Sequence, residues 1–493
     1  MRTIKSGNKA AIFFFGALLL KYLLYGFSYY PVLDDFIQYG GYPLYGDLGY
    51  VWFGIGTMAS RPLASLLDPL LWGSLWGAMG ISLFLITVLH FSAVCFLERT
   101  LYKNGYSVGP LFWIASLFLP IASEGAYWIS ASSRLVVGLF FASASLYFLT
   151  RALSEKKAGF TALFIVLHLL SYGFYEAVAV FSFLGAVFIL YHRRKSLGKR
   201  VWFCAVPVLC LISMFLYTML AANIGAMGSR AGGFGFSNLF GKIGESAWQL
   251  GRIFTKGVWK STVGGFFSGL KVLGAEGLWG ALVLLLILAA SVVLARFGRG
   301  KRSKSGLPWG MLVVGALLFL APLAPNVLVE TVWFPYRSIF ISLIGLALAL
   351  DTLVSRIRVK PYLKYIAYAA VLFVCLVANV NEYDTYKRVS EYDVRTVQNI
   401  AERLDSRVLS GERNAIVIVE APTEIAQVDC YKDHVKSVLE QDWSLTGAVR
   451  AVTKNMKIKL VTPVFSGEGE TTNEQVLFLG ADGHITQIRE SLK

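Results

Sequence analysis

The chain has 493 residues, 56% of them hydrophobic and 15% charged, with a formal net charge of +16 and a mean hydropathy of +0.59. A soluble protein of this length needs more polar surface, and repeated apolar runs of roughly 17–25 residues point instead to a polytopic helical membrane protein. Most of the positive excess lies in short loops between those runs, which reads as membrane topology and leaves no reason to expect a nucleic-acid partner.

Eleven spans are predicted, near 10–28, 77–97, 108–123, 132–150, 158–173, 175–191, 201–221, 277–296, 308–325, 336–351 and 362–380. The first begins with Arg2, Lys5 and Lys9 and ends in Ser28-Tyr29-Tyr30-Pro31. That ending lacks a small-x-small cleavage pattern, so the run is expected to stay as an anchor. The loops "RALSEKKAG", "YHRRKSLGKR", "RFGRGKRSKSG" and "SRIRVKPYLK" are basic. With eleven spans they fall on the side of the amino terminus, hence cytoplasmic.

The opposite side receives three segments. Residues 29–76 carry four Asp against one Arg. Residues 222–276 are rich in Gly, Phe and Trp and carry six bases against two acids, a composition suited to helices lying on lipid headgroups. The tail after 380 holds 18 acids and 14 bases, a net of −4. Within it "VRTVQNIAERLDSRV" has helical spacing. "NAIVIVEAP", "KIKLVTPV" and "EQVLFLG" read as strands, with "DGHITQI" closing a hairpin. The expected architecture is an all-α polytopic membrane domain over 1–380 and a small extracytoplasmic α+β domain over 381–493. Five cysteines are present without a CxxC or Cys/His cluster, so neither structural zinc nor a disulfide framework is expected.

The acids and arginines of the outer side form the candidate site. Asp34 and Asp35 follow the first span, Arg61 stands in the same loop, and Glu124 is in the next outer loop. Arg134, Glu176 and Arg337 open the fourth, sixth and tenth spans. Ionisable groups at such depth are costly and face a bundle interior or a wet cavity. A carboxylate near an apolar wall can serve as general base. Arginine forks bind phosphate oxygens bidentately. Together they suit a lipid-linked phosphosugar. Adjacent aspartates cannot both point the same way on a helix or strand, so one takes the base role and the other is left for hydrogen bonding, a metal or loop geometry. The same pair could instead end the first span and cap a short helix. An acid pair also permits Mg²⁺ or Mn²⁺, although no metal-ligand spacing is present.

The "LDDF" and "SRPL" elements, followed by "YE" and "YR" at later outer helix starts, resemble the GT-C superfamily of polytopic glycosyltransferases, in particular its bacterial GtrII-like members. The resemblance covers roughly residues 10–380. It implies a multi-pass enzyme of the bacterial cytoplasmic membrane that takes a sugar from a polyprenyl-phosphate donor. The first-loop Asp would be the catalytic carboxylate, here Asp34 or Asp35. The sugar would pass to a glycan or cell-envelope acceptor outside the membrane. Arg61, Arg134 and Arg337 are candidates for the phosphate. Two other readings stay open: a polymerase or ligase that moves a whole glycan from a pyrophosphate carrier, and a flippase for lipid-linked sugars.

Overall fold

The structure, a computed structural model, describes residues 2–59, 61–223, 238–297, 309–328, 332–420, 436–465, 474–480 and 484–487. For 2–10, 196, 199, 222, 223 and 297 only the backbone is described. Cys430 and the stretch 224–237 of the outer 222–276 loop lie outside the described residues. The chain forms two compact units, taken here one at a time.

The first unit comprises Met1–Phe27, Thr57–Ala64 and Leu83–Tyr383 and is helical. Over the whole chain, six helices among the described residues are long and apolar enough to cross a membrane: Pro62–Lys103, Ile129–Glu155, Arg200–Ala221, Gly277–Arg296, Trp309–Leu328 and Pro361–Arg403. Ala158–Tyr172 and Glu176–His192 are shorter apolar helices, as is Ala11–Leu20. The elements used below are α1 (Arg2–Leu20), α2 (Met79–Lys103), α3 (Pro110–Leu117), α4 (Ile129–Glu155), α5 (Ala158–Tyr172) and α6 (Glu176–His192). After these come α7 (Leu239–Arg252), α8 (Trp309–Leu320), α9 (Ser342–Arg356) and α10 (Pro361–Arg403).

Several elements differ from expectation. The helix expected over 10–28 ends at Leu20, and the run expected over 336–351 is two helices, Tyr336–Ile339 and Ser342–Arg356. The helix expected over 108–123 stops at Leu117, and Pro120 opens a separate 3₁₀ turn, because proline lacks the N–H that would continue the ladder. The helix expected to end near 380 runs on to Arg403 as one 43-residue element. No Gly or Pro occurs between 362 and 403 to interrupt it.

Short links set the direction of the helices. Lys156, in the left-handed region at φ 58°, and Lys157 join α4 to α5, and Gly173–Tyr175 join α5 to α6. Such links make neighbours antiparallel, so α4 and α6 start at one end of the unit and finish at the other. At the finishing end arginines meet helix carbonyls. Arg193 Nε donates to Asn104 Oδ1 (2.8 Å) and its Nη2 to the Lys103 carbonyl (2.6 Å). Asn104 Nδ2 donates to Thr150 Oγ1 (3.1 Å) and Arg200 Nη1 to the Ala152 carbonyl (2.7 Å). The Arg193 bond satisfies the Lys103 carbonyl in the last turn of α2, and Arg200 adds a second donor to the Ala152 carbonyl, which already accepts the Lys156 amide.

Helices α8 and α9 pack backbone to backbone. A Cβ on Gly345 would collide with the Phe319 amide nitrogen, and one on Gly315 would lie 3.0 Å from Ala349. Small residues permit this approach where helices share no hydrophobic driving force against lipid.

The second unit comprises Ser28–Gly56, Ser65–Ser82 and Asp384–Lys493. Most of 28–82, grouped by sequence with the helical part, therefore belongs to the compact unit of the tail. Its sheet has the order β2-β1-β3-β4, with β1 (Asn414–Val419), β2 (Val461–Val464), β3 (Glu474–Leu479) and β4 (Ile485–Gln487). β1 runs parallel to both β2 and β3, and β4 is antiparallel to β3. A parallel pair needs a crossover, and helix α11 (Asp442–Thr453) lies between β1 and β2 in the chain. Val397 and Ile400 of α10, Leu445, Ala448 and Val449 of α11, and Val417, Val461 and Leu477 of the sheet share one core. Phe36 belongs to that core, with Trp76 packed against it. In the same unit Asp393, on the polar part of α10 beyond the apolar span, is fully buried. Its carboxylate accepts Ser437 Oγ (2.6 Å) and the Val438 amide (3.1 Å).

Two outcomes are expected. Gly345→Val should lower the stability of the protein by about 1–3 kcal/mol, measured by thermal unfolding in detergent, while Gly310→Val, with open space at its Cβ, should change it little. Burial, helped by nearby Glu440 and opposed by the Ser437 and Val438 bonds, pushes the Asp393 carboxyl up to about 7. The folded state then holds a proton that the unfolded chain releases near pH 4. The stability Asp393 contributes is therefore complete below about pH 4 and is lost as pH rises through about 7. Asp393→Asn should flatten the pH dependence of the midpoint over that window and leave the variant more stable than wild type at pH 8.

Candidate functional site

The candidate residues fall into two groups, one in each unit. Asp34 and Asp35 are in the second. Asp35 has no exposed surface, whereas Asp34 is half-buried. Asp35 Oδ2 accepts the Tyr29 hydroxyl (2.6 Å) and the Val32 amide (3.0 Å), and the Asp35 amide donates to the Val32 carbonyl (3.1 Å). Asp35 thus ties together the turn that contains it, while it makes no side-chain bond to the amides of the π-helical turn that follows. Between Val32 and Asp34, Leu33 is held at φ 44°, a strained setting for a bulky residue. No sequence signal marked Leu33, because leucine has no preference for that region.

The turn carrying the acids is anchored by its C-terminal neighbour. Phe36–Gly41 forms a π-helical turn. A Cβ added to the neighbouring Gly447 of α11 would collide with Ile37, and one on Gly40 would lie 2.7 Å from the Ala451 side chain. Asp34 and Asp35 therefore stand on an element locked into the core of the sheet-bearing unit. Among the described residues no three His, Cys, Asp or Glu side chains gather as a metal-binding group. The acid pair has no third ligand there for Mg²⁺ or Mn²⁺.

The other group lies in the helical unit. Arg61 meets Glu176 through two bonds, Nε to Oε1 at 3.2 Å and Nη2 to Oε2 at 3.1 Å, and lies over the Tyr175 ring at 4.1 Å. Local backbone brings them together. The Leu63 amide donates to the Gly173 carbonyl at 3.0 Å, which ties the Arg61 loop to the end of α5. Glu176 opens α6, where the helix dipole favours an acid.

Arg337 donates to Glu124 Oε1 at 2.5 Å, with its guanidinium 5.3 Å from the Trp128 ring and 4.8 Å from the Trp333 ring. Glu124 is wholly buried. Phe340 packs so closely on Gly125 that a Cβ there would lie 2.6 Å from it. Next to Glu124, Ser123 Oγ donates to Glu382 Oε2 (2.9 Å), and Glu382 is also buried. Sequence reasoning missed Glu382. Its signal was an acid two residues beyond the predicted end of the last span. Arg134 is buried and turns back to donate to the Ser130 carbonyl one turn earlier.

Glu124 precedes α4 and Glu176 opens α6, so both pairs gather at the starting end of these helices, opposite the end where Arg193 and Arg200 meet carbonyls. The buried His168 takes no part. Its Nδ1 is within hydrogen-bond distance of Ser182 (3.0 Å) and Ser145 (3.2 Å), a packing network without a carboxylate.

No family model matches the chain, and no curated protein or solved structure matches it either.

The two ion pairs should respond differently to truncation. Glu124→Ala strands the Arg337 guanidinium beside a buried site and should cost about 3–5 kcal/mol, read as a fall in the unfolding midpoint. Glu124→Ala combined with Arg337→Leu should recover much of that loss. Arg61 and Glu176 keep 31% and 26% of their side-chain surface exposed, so Arg61→Ala should cost under about 1 kcal/mol.

Proposed function

We propose that the chain is an integral membrane glycosyltransferase that moves a sugar from a polyprenyl-phosphate carrier to a glycan or cell-envelope acceptor. In this reading it crosses the bacterial cytoplasmic membrane eleven times. The arginine-capped end lies in the cytoplasm. The end with the Arg–Glu pairs lies outside. The observation that carries the proposal is the gathering, at one end of the helical unit, of arginines and glutamates from distant parts of the chain, each arginine against aromatic rings. An arginine held by a carboxylate and an aromatic face keeps its charge when partly buried and retains donors for phosphate oxygens.

The chemistry assigned is direct displacement. The acceptor hydroxyl oxygen attacks the anomeric carbon and its proton passes to a carboxylate. The bond from the anomeric carbon to the phosphate oxygen breaks, and the carrier phosphate leaves with the electron pair, its charge met by arginine. Configuration at the anomeric carbon inverts. Between the acids, Asp34 takes the base role, because it keeps exposed surface whereas Asp35 has none. Asp35 positions the turn. The amphipathic α7, with Phe240, Ile243 and Trp248 exposed beside Lys242 and Arg252, suits contact with the carrier lipid at the membrane surface.

The test is transfer of labelled sugar from polyprenyl phosphate by purified full-length protein. Asp34→Asn should reduce the rate by at least about 100-fold. Asp35→Asn should act mainly through stability, and Arg337→Lys, which keeps a cation against Glu124 but loses the planar fork, should lower turnover with the fold intact. Full turnover by Asp34→Asn removes the base assignment. Movement of intact carrier between leaflets, with no sugar released, replaces the enzyme by a flippase.

A further inference from the structure

A cavity of about 620 Å³ opens at the arginine-capped end of the helical unit, away from the Arg–Glu pairs. Its lining brings together the loop before α3 (Ser107, Gly109), the end of α9 (Asp351, Ser355), the link Ile357–Val359 and the start of α10 (Pro361, Lys364). Neither the proposed transfer reaction nor any candidate residue above uses it.

The chemistry of the lining is that of an anion site with an apolar rim. Arg358 and Lys364 supply two cations, and Ser107, Ser355, Tyr365 and Tyr368 supply hydroxyls. Lys364 Nζ donates to the Val354 carbonyl (3.1 Å) and the Ser355 carbonyl (3.4 Å). These bonds fix its ammonium at the cavity wall, and an ammonium has three donors. Helix α10 begins at Pro361 on the same wall, so the positive end of a 43-residue helix faces the space.

The one acid of the lining, Asp351, is already engaged. Its oxygens accept the Gly109 amide (2.7 Å) and the Phe112 amide (3.3 Å) at the start of α3. Its charge is therefore spent on the first turn of that helix. Ile357 and Val359 line the cavity and are 53% and 44% exposed. A soluble anion gains nothing from that rim, whereas acyl chains would cover it.

We propose that this cavity binds a phosphoryl group, and that the phosphate is carried by a lipid whose chains lie on Ile357 and Val359. Arg358 and Lys364 hold the phosphate oxygens and Ser107 adds a neutral donor. The site is independent of the transferase reading.

The test uses the delipidated full-length protein in nanodiscs of neutral lipid. Binding of phosphatidylglycerol is measured by native mass spectrometry and by the unfolding midpoint, with diacylglycerol as the phosphate-free control and inorganic phosphate as the soluble arm. Wild type should retain phosphatidylglycerol over diacylglycerol. Arg358→Gln, at an exposed position where folding is not at stake, should weaken it about fivefold, and Arg358→Gln with Lys364→Gln about 25-fold. Lys360→Gln, outside the lining, should leave binding unchanged. Protection by inorganic phosphate that is lost in Arg358→Gln, with no lipid retained, would keep the phosphoryl site but overturn its lipid source. Equal binding by wild type and both variants, or diacylglycerol held as tightly as phosphatidylglycerol, overturns the site.

Discussion

A carboxylate such as Glu124, without exposed surface inside an apolar helix bundle, is tolerable only against a cation or a donor, because the low-dielectric surroundings do not solvate it. Much of the helical unit can be understood from that constraint. Arg337 meets Glu124, Ser123 meets Glu382 and Arg61 meets Glu176 at one end. At the other end the same rule is met differently, with Arg193 and Arg200 donating to carbonyls in the last turns of helices. One end thus holds side-chain ion pairs walled by tyrosine and tryptophan. The other is a collar of cations over helix termini, where Asp351 serves as cap rather than partner.

Polar groups in the sheet-bearing unit obey the constraint with different means. Asp393 is buried against a hydroxyl and an amide, neither of them charged, which is why its proton is held so far above the usual carboxylate range. Asp35 is buried as deeply, yet its bonds come from the turn that contains it. These bonds fix the turn from Tyr29 to Asp35, and the packing of Phe36, Ile37 and Gly40 ties that turn to the core. The half-buried Asp34 is therefore presented from a fixed support, a property useful to a base that must wait for its substrate.

Legibility in the sequence tracked how local the physics was. Strand positions followed from apolar runs and alternation, as in β1, a continuous apolar run, and β3, whose burial alternates. Arg61, Glu124, Glu176 and Arg337 could be nominated one by one, since a charge beside a long apolar run is conspicuous. Their pairing could not be read, because Arg61 and Glu176 are 115 residues apart and Glu124 and Arg337 are 213 apart. Glu382 and Asp393 escaped notice for the opposite reason. Each sits in an ordinary polar stretch whose burial is imposed by other elements.

Hydropathy and charge distribution were enough to establish a helical chain with several membrane-length segments and a more polar, sheet-forming tail, since both depend on sums over neighbouring residues. Folding alone assigned residues 28–56 and 65–82 to the compact unit of the tail, buried Asp35 in its own turn and matched Arg61 and Arg337 with their glutamates. Those outcomes depend on which distant surfaces meet, and no window along the chain contains that information.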